Sequence, residues 1–472
     1  MFQWLRNRSG FLLGLALACG VVVYAALISQ LPSGGADGEN HYLFARYSWK
    51  YPHLLLSQWG KPVFTLLMSP FAQLGFEAVV AVNITITVLS AVLLYAWAAR
   101  THQPDAWLLL PLYVCAPAVL SSAISAMTEP LCALALVGVL LLMARKHYRW
   151  AAVLVSFTPY MRSEGFALIL PVAAVLLLHR RWRDLPYLVV GVVVYGIVGA
   201  LASGELFWFI TDNPYVFKDK AHVYGSGPFL HYLERYRVIA GVPLGLLVVV
   251  GLLHRMVGLV RGWRNREVWS EWLLVEGSLI GFWLMHSFIW WRGMWGSLGL
   301  ERVFTVVMPH AVWLAYQGWQ VVRSTELRPW QRALVLQVPL VVWLARAPFA
   351  DRVVPELVPY TDPELKKLIT WMRQEGSYPE RLLYNLPPKA SIALGVDIYD
   401  PERFRTCFDL GPNAPSGAWY IWEAHFGPNE CGTPLATLQQ DSTLILRQEF
   451  HPAEPFTVLG NNPYAIYVFE KR

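Results

Sequence analysis

The chain has 472 residues, 56% of them hydrophobic and 15% charged, with 22 tryptophans, and its mean hydropathy is +0.39. That balance excludes an ordinary soluble domain. The formal net charge of +6 is spread in short clusters between apolar runs, which excludes a basic, aromatic-interleaved nucleic-acid surface and reads as the topology signal of a polytopic α-helical membrane protein.

In chain order, the first apolar run, 11–28, follows Arg6 and Arg8 and has no clear small-residue cleavage site after it, so it reads as an uncleaved signal-anchor. Further runs at 78–99, 106–126, 130–144, 150–161, 164–178, 186–203, 238–254, 272–290, 303–320 and 333–347 predict about 11 membrane helices. Runs 150–161 and 164–178 fall short of the about 20 residues of a full crossing and are expected to pair as a hairpin that enters and leaves on one side. Basic clusters at Arg6/Arg8, Arg100, Arg145/Lys146/Arg149, Arg180/Arg181/Arg183, Arg255/Arg261/Arg264/Arg266 and Arg323/Arg328/Arg332 fall at alternate ends of these runs. Assigning those ends to the cytoplasm places the amino terminus inside and the carboxyl terminus outside.

Residues 1–350 form the membrane domain in this reading and 351–472 a small extracytoplasmic domain. The tail is less apolar, with strand-like runs at 442–446 and 464–469 and a helical pattern, Asp362–Glu375, opened by Asp-Pro. An α/β or α+β fold is expected there, with the aromatic stretch 419–432 as its core. Cys19, Cys115 and Cys132 fall in apolar runs as small hydrophobes. Cys407 and Cys431 lie in the tail, where an oxidising compartment permits a disulfide.

The chemistry gathers on the expected external face. Asp37 and Glu39, in "GGADGEN", follow the first span. As a solvated turn they need no function, but residues 41–71 read as amphipathic surface helices anchored by Trp49 and Trp59. Held against the bilayer, a carboxylate gains proton affinity, which suits a general base. Thr128–Glu129–Pro130 reads as a helix cap or as a second cavity carboxylate. Arg162–Ser163–Glu164 lies between two apolar half-runs, where charge is costly: a structural ion pair, or an anion site with Glu164 orienting Arg162. The loop 204–237 carries Lys218, Lys220, His222, His231, Arg235 and Arg237; with Arg292 and the pair Glu301–Arg302 it breaks the positive-inside pattern, and an external anion explains the exceptions together. No cysteine–histidine zinc spacing, P-loop or dinucleotide fingerprint is present.

The acidic pair after the first span, the surface helices, the "TEP" loop, the Arg-x-Glu hairpin and the external tail together resemble the GT-C superfamily of polytopic glycosyltransferases. "DGENHYLFAR" and "WGKPVFTLLMSPF" are similar to the first-loop region of bacterial relatives of protein mannosyltransferases and of the lipid A aminoarabinose transferase. "GLERVFTVVMPH" is similar to the "HKE-x-RF…P" motif of lipid-linked-oligosaccharide mannosyltransferases, though without its HK. The resemblance covers residues 1–350 in layout. It implies an inverting transferase in the bacterial inner membrane that moves a sugar from a polyprenyl-phosphate donor to a lipid, glycan or protein acceptor. It implies Asp37 as base with Glu39 or Glu129 as auxiliary, Arg162, Lys218, His222 and Arg302 on the donor phosphate, and His41, Glu164 and Glu301 in support. No cofactor is expected; Asp37, Glu39 and Glu129 are the carboxylates that could hold a divalent metal. A flippase of lipid-linked sugars or a membrane glycan ligase shares the apolar core and basic loop; a transporter more typically shows paired repeats.

Overall fold

The computed structural model describes residues 2–28, 35–100, 104–205, 208–211, 221–326, 328–349, 362–407 and 414–472. Helix α1 (Phe2–Ile28) is followed by α2 (Gly35–Tyr47), a 3₁₀ turn at Pro52–Leu56, α3 (Pro62–Ala72) and α4 (Phe76–Ala99). Thus the stretch after the first apolar run folds as two short helices, as its amphipathic pattern predicts, with Asp37 inside the first turn of α2 and not in a preceding loop. The run 106–126 is broken into α5 (Leu109–Val114) and α6 (Pro117–Ala123), the broken span bending by 67°. Pro117 causes the break: it excludes its predecessor from the helical region, and Ala116 is extended at φ −63°, ψ 126°.

Helices α7 (Glu129–Ala144), α8 (Tyr148–Ser156), α9 (Gly165–Leu178) and α10 (Val190–Ser203) come next. The hairpin predicted from the two short runs is α8 and α9, packed on one another, with Arg162 to Glu164 at its tip. Helix α11 (Val242–Arg261) lies against α13 (Met308–Arg323). Two glycines permit this contact. A Cβ on Gly251 would lie 1.9 Å from the Leu314 carbonyl oxygen, and one on Gly318 2.1 Å from that of Leu247, so the helices cross backbone to backbone. Between them in sequence, α12 (Arg266–Arg292) contains a π turn at Leu273–Gly277. The turn carries the buried Glu276, whose Oε1 accepts from Arg255 Nε at 2.6 Å. Helix α14 (Val338–Arg346) ends the helical portion.

Among the described residues, five helices are long and apolar enough to cross a membrane, and six if the bent pair is one span. All eleven apolar runs are helical, but the expectation of about eleven spans goes beyond what helix length supports. The charges separate along the helix axes. The ends of α7, α9 and α13 away from Glu129, Glu164 and Arg302 carry basic residues that pair nearby, among them Lys146 with Glu267 at 3.9 Å, Arg181 with Asp184 at 2.8 Å, and Arg323 with Asp105.

A second hydrophobic core, separate from that of the bundle, belongs to the carboxyl-terminal residues; the boundary expected at 350 lies outside the described residues. Helix α15 (Asp362–Glu375) matches the predicted bounds. It packs on a five-stranded sheet made of β1 (Leu383–Tyr384), β2 (Phe404–Arg405), β3 (Trp419–Glu423), β4 (Leu444–Phe450) and β5 (Ile466–Lys471), in the order β2-β1-β3-β5-β4. Strands β2, β1 and β3 run parallel, and β3, β5 and β4 antiparallel. Every residue of β3 is buried, as a strand covered on both faces requires, so Trp419, Tyr420 and Trp422 are core as predicted. Cys407 and Cys431 form a disulfide with Cα atoms 5.7 Å apart.

This carboxyl-terminal unit docks on α2 and the turn after it. Lys50 Nζ donates to Asp397 Oδ2 at 2.9 Å, Tyr51 Oη to the same oxygen at 3.2 Å, and Tyr47 Oη to the Val396 carbonyl at 3.3 Å.

Candidate active site

A cavity of about 770 Å³ opens where α2, α3 and the amino-terminal ends of α7, α9 and α13 converge. The helical portion contributes Asp37, Lys61, Arg162, Glu164, His286 and Arg302 to its wall, and the carboxyl-terminal unit contributes His425, Phe426 and Glu430.

Asp37 accepts from Arg302 Nη2. Burial by itself would raise the carboxyl's affinity for a proton, as the sequence leads one to expect, but the Arg302 and Arg162 charges outweigh it and hold Asp37 below its ordinary value. The expected rise in proton affinity is therefore reversed. His41 is pushed down to about 3 by burial, so its ring is neutral at neutral pH; it stacks on Trp59 at 5.0 Å. Trp59 thus lies in the cavity wall and is no interface anchor, whereas Trp49 is 63% exposed.

Arg302 also approaches Glu129 Oε1 at 3.6 Å through Nε. Glu129 is fully buried and accepts from Arg162 Nη1 at 2.9 Å, so it lies behind both arginines and does not line the cavity. Thr128 makes no capping hydrogen bond; its hydroxyl accepts from Arg162 at 3.3 Å, which sets aside the capping account. The loop before Glu129 is fixed by Asn83 of α4, which donates to the carbonyls of Ser125 and Met127 at 2.8 and 2.7 Å. Arg162 grips Glu164 with two donors, Nη2 at 2.6 Å and Nε at 3.2 Å. The hairpin tip is tight because Gly165 has no side chain: a Cβ there would lie 2.2 Å from the Thr158 carbonyl carbon.

Lys61 was not singled out by the sequence and is held in a constrained conformation. Its φ is +63°, a conformation costly for a residue with a side chain, and Pro62 follows at the start of α3. Its Nζ donates to the Gln58 carbonyl at 2.9 Å and to Ser163 Oγ at 2.8 Å. Burial, with the charge of Arg162 added, lowers its ammonium to about 7. The available signal was a lysine wedged between Gly60 and Pro62 in an otherwise apolar stretch. His286, whose Nε2 lies 3.8 Å from Glu164, was also missed, as were His425 and Glu430, hidden in a stretch read as core.

Other expected residues fall elsewhere. Glu39 is buried on α2 and does not line the cavity. Glu301 is paired with Arg235 at 2.6 Å, and His231 bonds the Gly299 carbonyl at 2.9 Å; neither Arg235 nor His231 lines the cavity. Lys218 and Lys220 lie outside the described residues, as does the His222 side chain. The metal set of Asp37, Glu39 and Glu129 does not assemble, because two members are neutralised by arginine and the third points elsewhere. Among the described residues no group of three His, Cys, Asp or Glu side chains is placed to hold a metal ion.

Fold and cavity together define a helical membrane protein with a charge-rich site at one end of its bundle. Residues 61–287 match the model of glycosyltransferase family 87, which supports a sugar-transferring activity. No curated protein matches the chain. The matched stretch begins at Lys61 and ends just after His286; it includes Glu129, Arg162 and Glu164, while Asp37, Arg302 and the carboxyl-terminal unit lie beyond it.

Proposed function

We propose that the chain is an inverting glycosyltransferase of GT-C type that moves a sugar from a polyprenyl-phosphate donor to an acceptor hydroxyl on the extracytoplasmic face of the membrane. The observation that carries this reading is the juxtaposition, in one cavity, of the Asp37 carboxylate with the cations of Arg302, Lys61 and Arg162. A carboxylate to take a proton and cations to hold a departing phosphate are the two requirements of sugar transfer from a lipid phosphate. Nucleotide sugars are confined to the cytoplasm, so a site outside it needs a donor carried across on lipid.

In the proposed step Asp37 takes the proton of the acceptor hydroxyl. The acceptor oxygen bonds to the anomeric carbon as the bond from that carbon to the phosphate oxygen breaks. The electron pair leaves with the polyprenyl phosphate, and the anomeric configuration inverts. Arg302 is the hinge of the arrangement, because it touches the base and reaches toward the anion. Glu129, behind it, fixes the orientation of Arg302 and Arg162. Lys61 gains a proton as the phosphate enters, since an anion beside a depressed ammonium raises its proton affinity.

The test is reconstitution of the full chain in vesicles with a panel of polyprenyl-phosphate sugars, following release of polyprenyl phosphate. Turnover with a lipid-linked donor and none with nucleotide sugars is expected. Turnover with nucleotide sugars alone would overturn the proposal, as would undiminished turnover of Asp37→Asn.

A further inference from the structure

Part of the cavity wall that the proposed chemistry leaves unused comes from the carboxyl-terminal unit. His425, Phe426 and Glu430 face the same cavity as Asp37, although nearly four hundred residues separate them in sequence. The Asp37 carboxylate is close enough to act electrostatically on the His425 ring. Part of the wall of the site is therefore supplied by a different folding unit.

That wall is built to hold its shape. Glu423 Oε2 accepts the backbone N–H groups of His425 and Phe426, each at 3.0 Å. Asn429 Nδ2 donates to the carbonyls of His425 and Leu459 at 2.7 and 2.9 Å. Gly427 lies so close beneath Trp422 that a Cβ would be 2.3 Å from its ring nitrogen. Cys431 is tied to Cys407, and Tyr224 Oη donates to Glu430 across the boundary between the two units. A surface with no role beyond covering the cavity needs no imidazole and carboxylate directed into it on so fixed a loop.

We propose that His425 and Glu430 form the acceptor subsite, and that the acceptor is a neutral, polyhydroxylated molecule, a sugar or polyol terminus. Three features select that class. A carboxylate and a neutral imidazole accept hydrogen bonds from hydroxyl groups. The Glu430 charge disfavours an anionic acceptor beside it, while the cations of Arg302, Lys61 and Arg162 favour the phosphate. Flat aromatic surfaces, Trp59, Trp295 and Phe426, flank the space and offer apolar faces to the C–H side of a sugar ring. The cavity volume lies in the upper part of the about 300–1,000 Å³ range of ligand pockets, which leaves room for an acceptor residue beside a donor sugar. His425 and Glu430 then set specificity, and the carboxyl-terminal unit is half of the site.

This inference rests on the proposed reaction, and its test separates the two. The full chain in nanodiscs is titrated with methyl α-mannopyranoside, methyl β-glucopyranoside and methyl α-arabinofuranoside by saturation-transfer NMR, and separately with radiolabelled polyprenyl phosphate. Glu430→Gln, which removes a charged acceptor, should weaken glycoside binding about tenfold, and His425→Ala, which removes a neutral one, about fivefold, with polyprenyl phosphate binding unchanged. A thermal melt matching that of the wild type verifies that the variants are folded. Undiminished glycoside affinity in both variants would show a docking contact only and overturn the proposal, as would a wild-type chain that binds polyprenyl phosphate but none of the glycosides. Failure to bind polyprenyl phosphate would instead overturn the donor reading, whatever the glycosides do.

Discussion

At the scale of single residues, the site works by compensation of charge. The Asp37 side chain is 43% exposed, and the charges of Arg302 and Arg162 outweigh the desolvation it does suffer and keep it ionised. It should therefore remain a competent base down to about pH 4, near the ordinary carboxylate value, with no acid limb of its own above that. Replacing Arg302 with Met leaves the burial and removes the counter-charge. Asp37 then rises, and an acid limb should appear in kcat/KM of the variant alongside a loss of about 10²–10³ in rate from the missing phosphate contact. An unchanged profile would separate Arg302 from the base. Asp37→Asn should cost about 10²–10⁴ in transfer.

Lys61 makes the complementary prediction. Its ammonium is lowered to about 7, so it is charged below that pH and neutral above. Affinity for an anion at this position should be highest on the acid side and fall as pH rises through 7. A polyprenyl methyl phosphate, a diester whose own charge is constant in this range, is the clean probe. Its dissociation constant should rise between about pH 6 and pH 8.5 in the wild type and stay level in Lys61→Arg, whose guanidinium remains charged throughout. A level wild-type profile would remove Lys61 from the anion site.

At the scale of elements, two devices carry the arrangement. One is the crossing of α11 and α13. Gly318→Val drives a side chain into the Leu247 carbonyl, which backbone cannot evade, and should destabilise the chain by about 1–3 kcal/mol in thermal melts. Gly258→Ala, where nothing lies within 4 Å, is the matched control and should not. The other device is the loop held by Glu423. Burial raises that carboxyl from 4.5 to about 7, so the folded state holds a proton that the unfolded state releases between these values. The stabilisation is complete below the unfolded value and lost as pH rises through 7. Amide protection at His425 and Phe426, corrected for intrinsic exchange, should fall from about pH 5 to pH 8 and be level in Glu423→Gln. What the sequence revealed follows the same division. Local signals were sufficient for α15, whose Asp-Pro start fixes its first turn, for the α8–α9 hairpin, whose runs are too short to cross, and for the buried strand β3. They could not tell which carboxylate of α2 faces the cavity. That depends on Tyr47 and Phe44 packing against Val396 and Tyr399, some 350 residues away. Asp37 and Arg302 were each legible as candidates; their pairing across 265 positions was not. Lys61 and His425 escaped because a charged or titratable residue in an apolar stretch looks the same whether it is wedged against backbone or aimed into a cavity.

At the scale of the whole molecule, charge is sorted to two ends. One end holds the cavity and the carboxyl-terminal unit; the other holds Lys146, Arg149, Arg181, Arg255 and Arg323 with their carboxylate partners. Basic residues concentrate on the cytoplasmic side of membrane proteins, so the cavity end should face outward, as a lipid-linked donor requires. The free cysteines Cys115 and Cys132 are buried, Cys19 partly so, and Cys407 and Cys431 are bonded to each other, so an introduced thiol gives an uncluttered signal. Ser442→Cys, on the exposed edge of the carboxyl-terminal sheet, should react with a membrane-impermeant maleimide in intact cells. Arg264→Cys, in the exposed turn between α11 and α12, should react in inverted vesicles and not in intact cells. The reverse pattern would put the cavity in the cytoplasm, where nucleotide sugars are at hand, and would remove the argument for a polyprenyl-phosphate donor while leaving the carboxylate and its arginines in place.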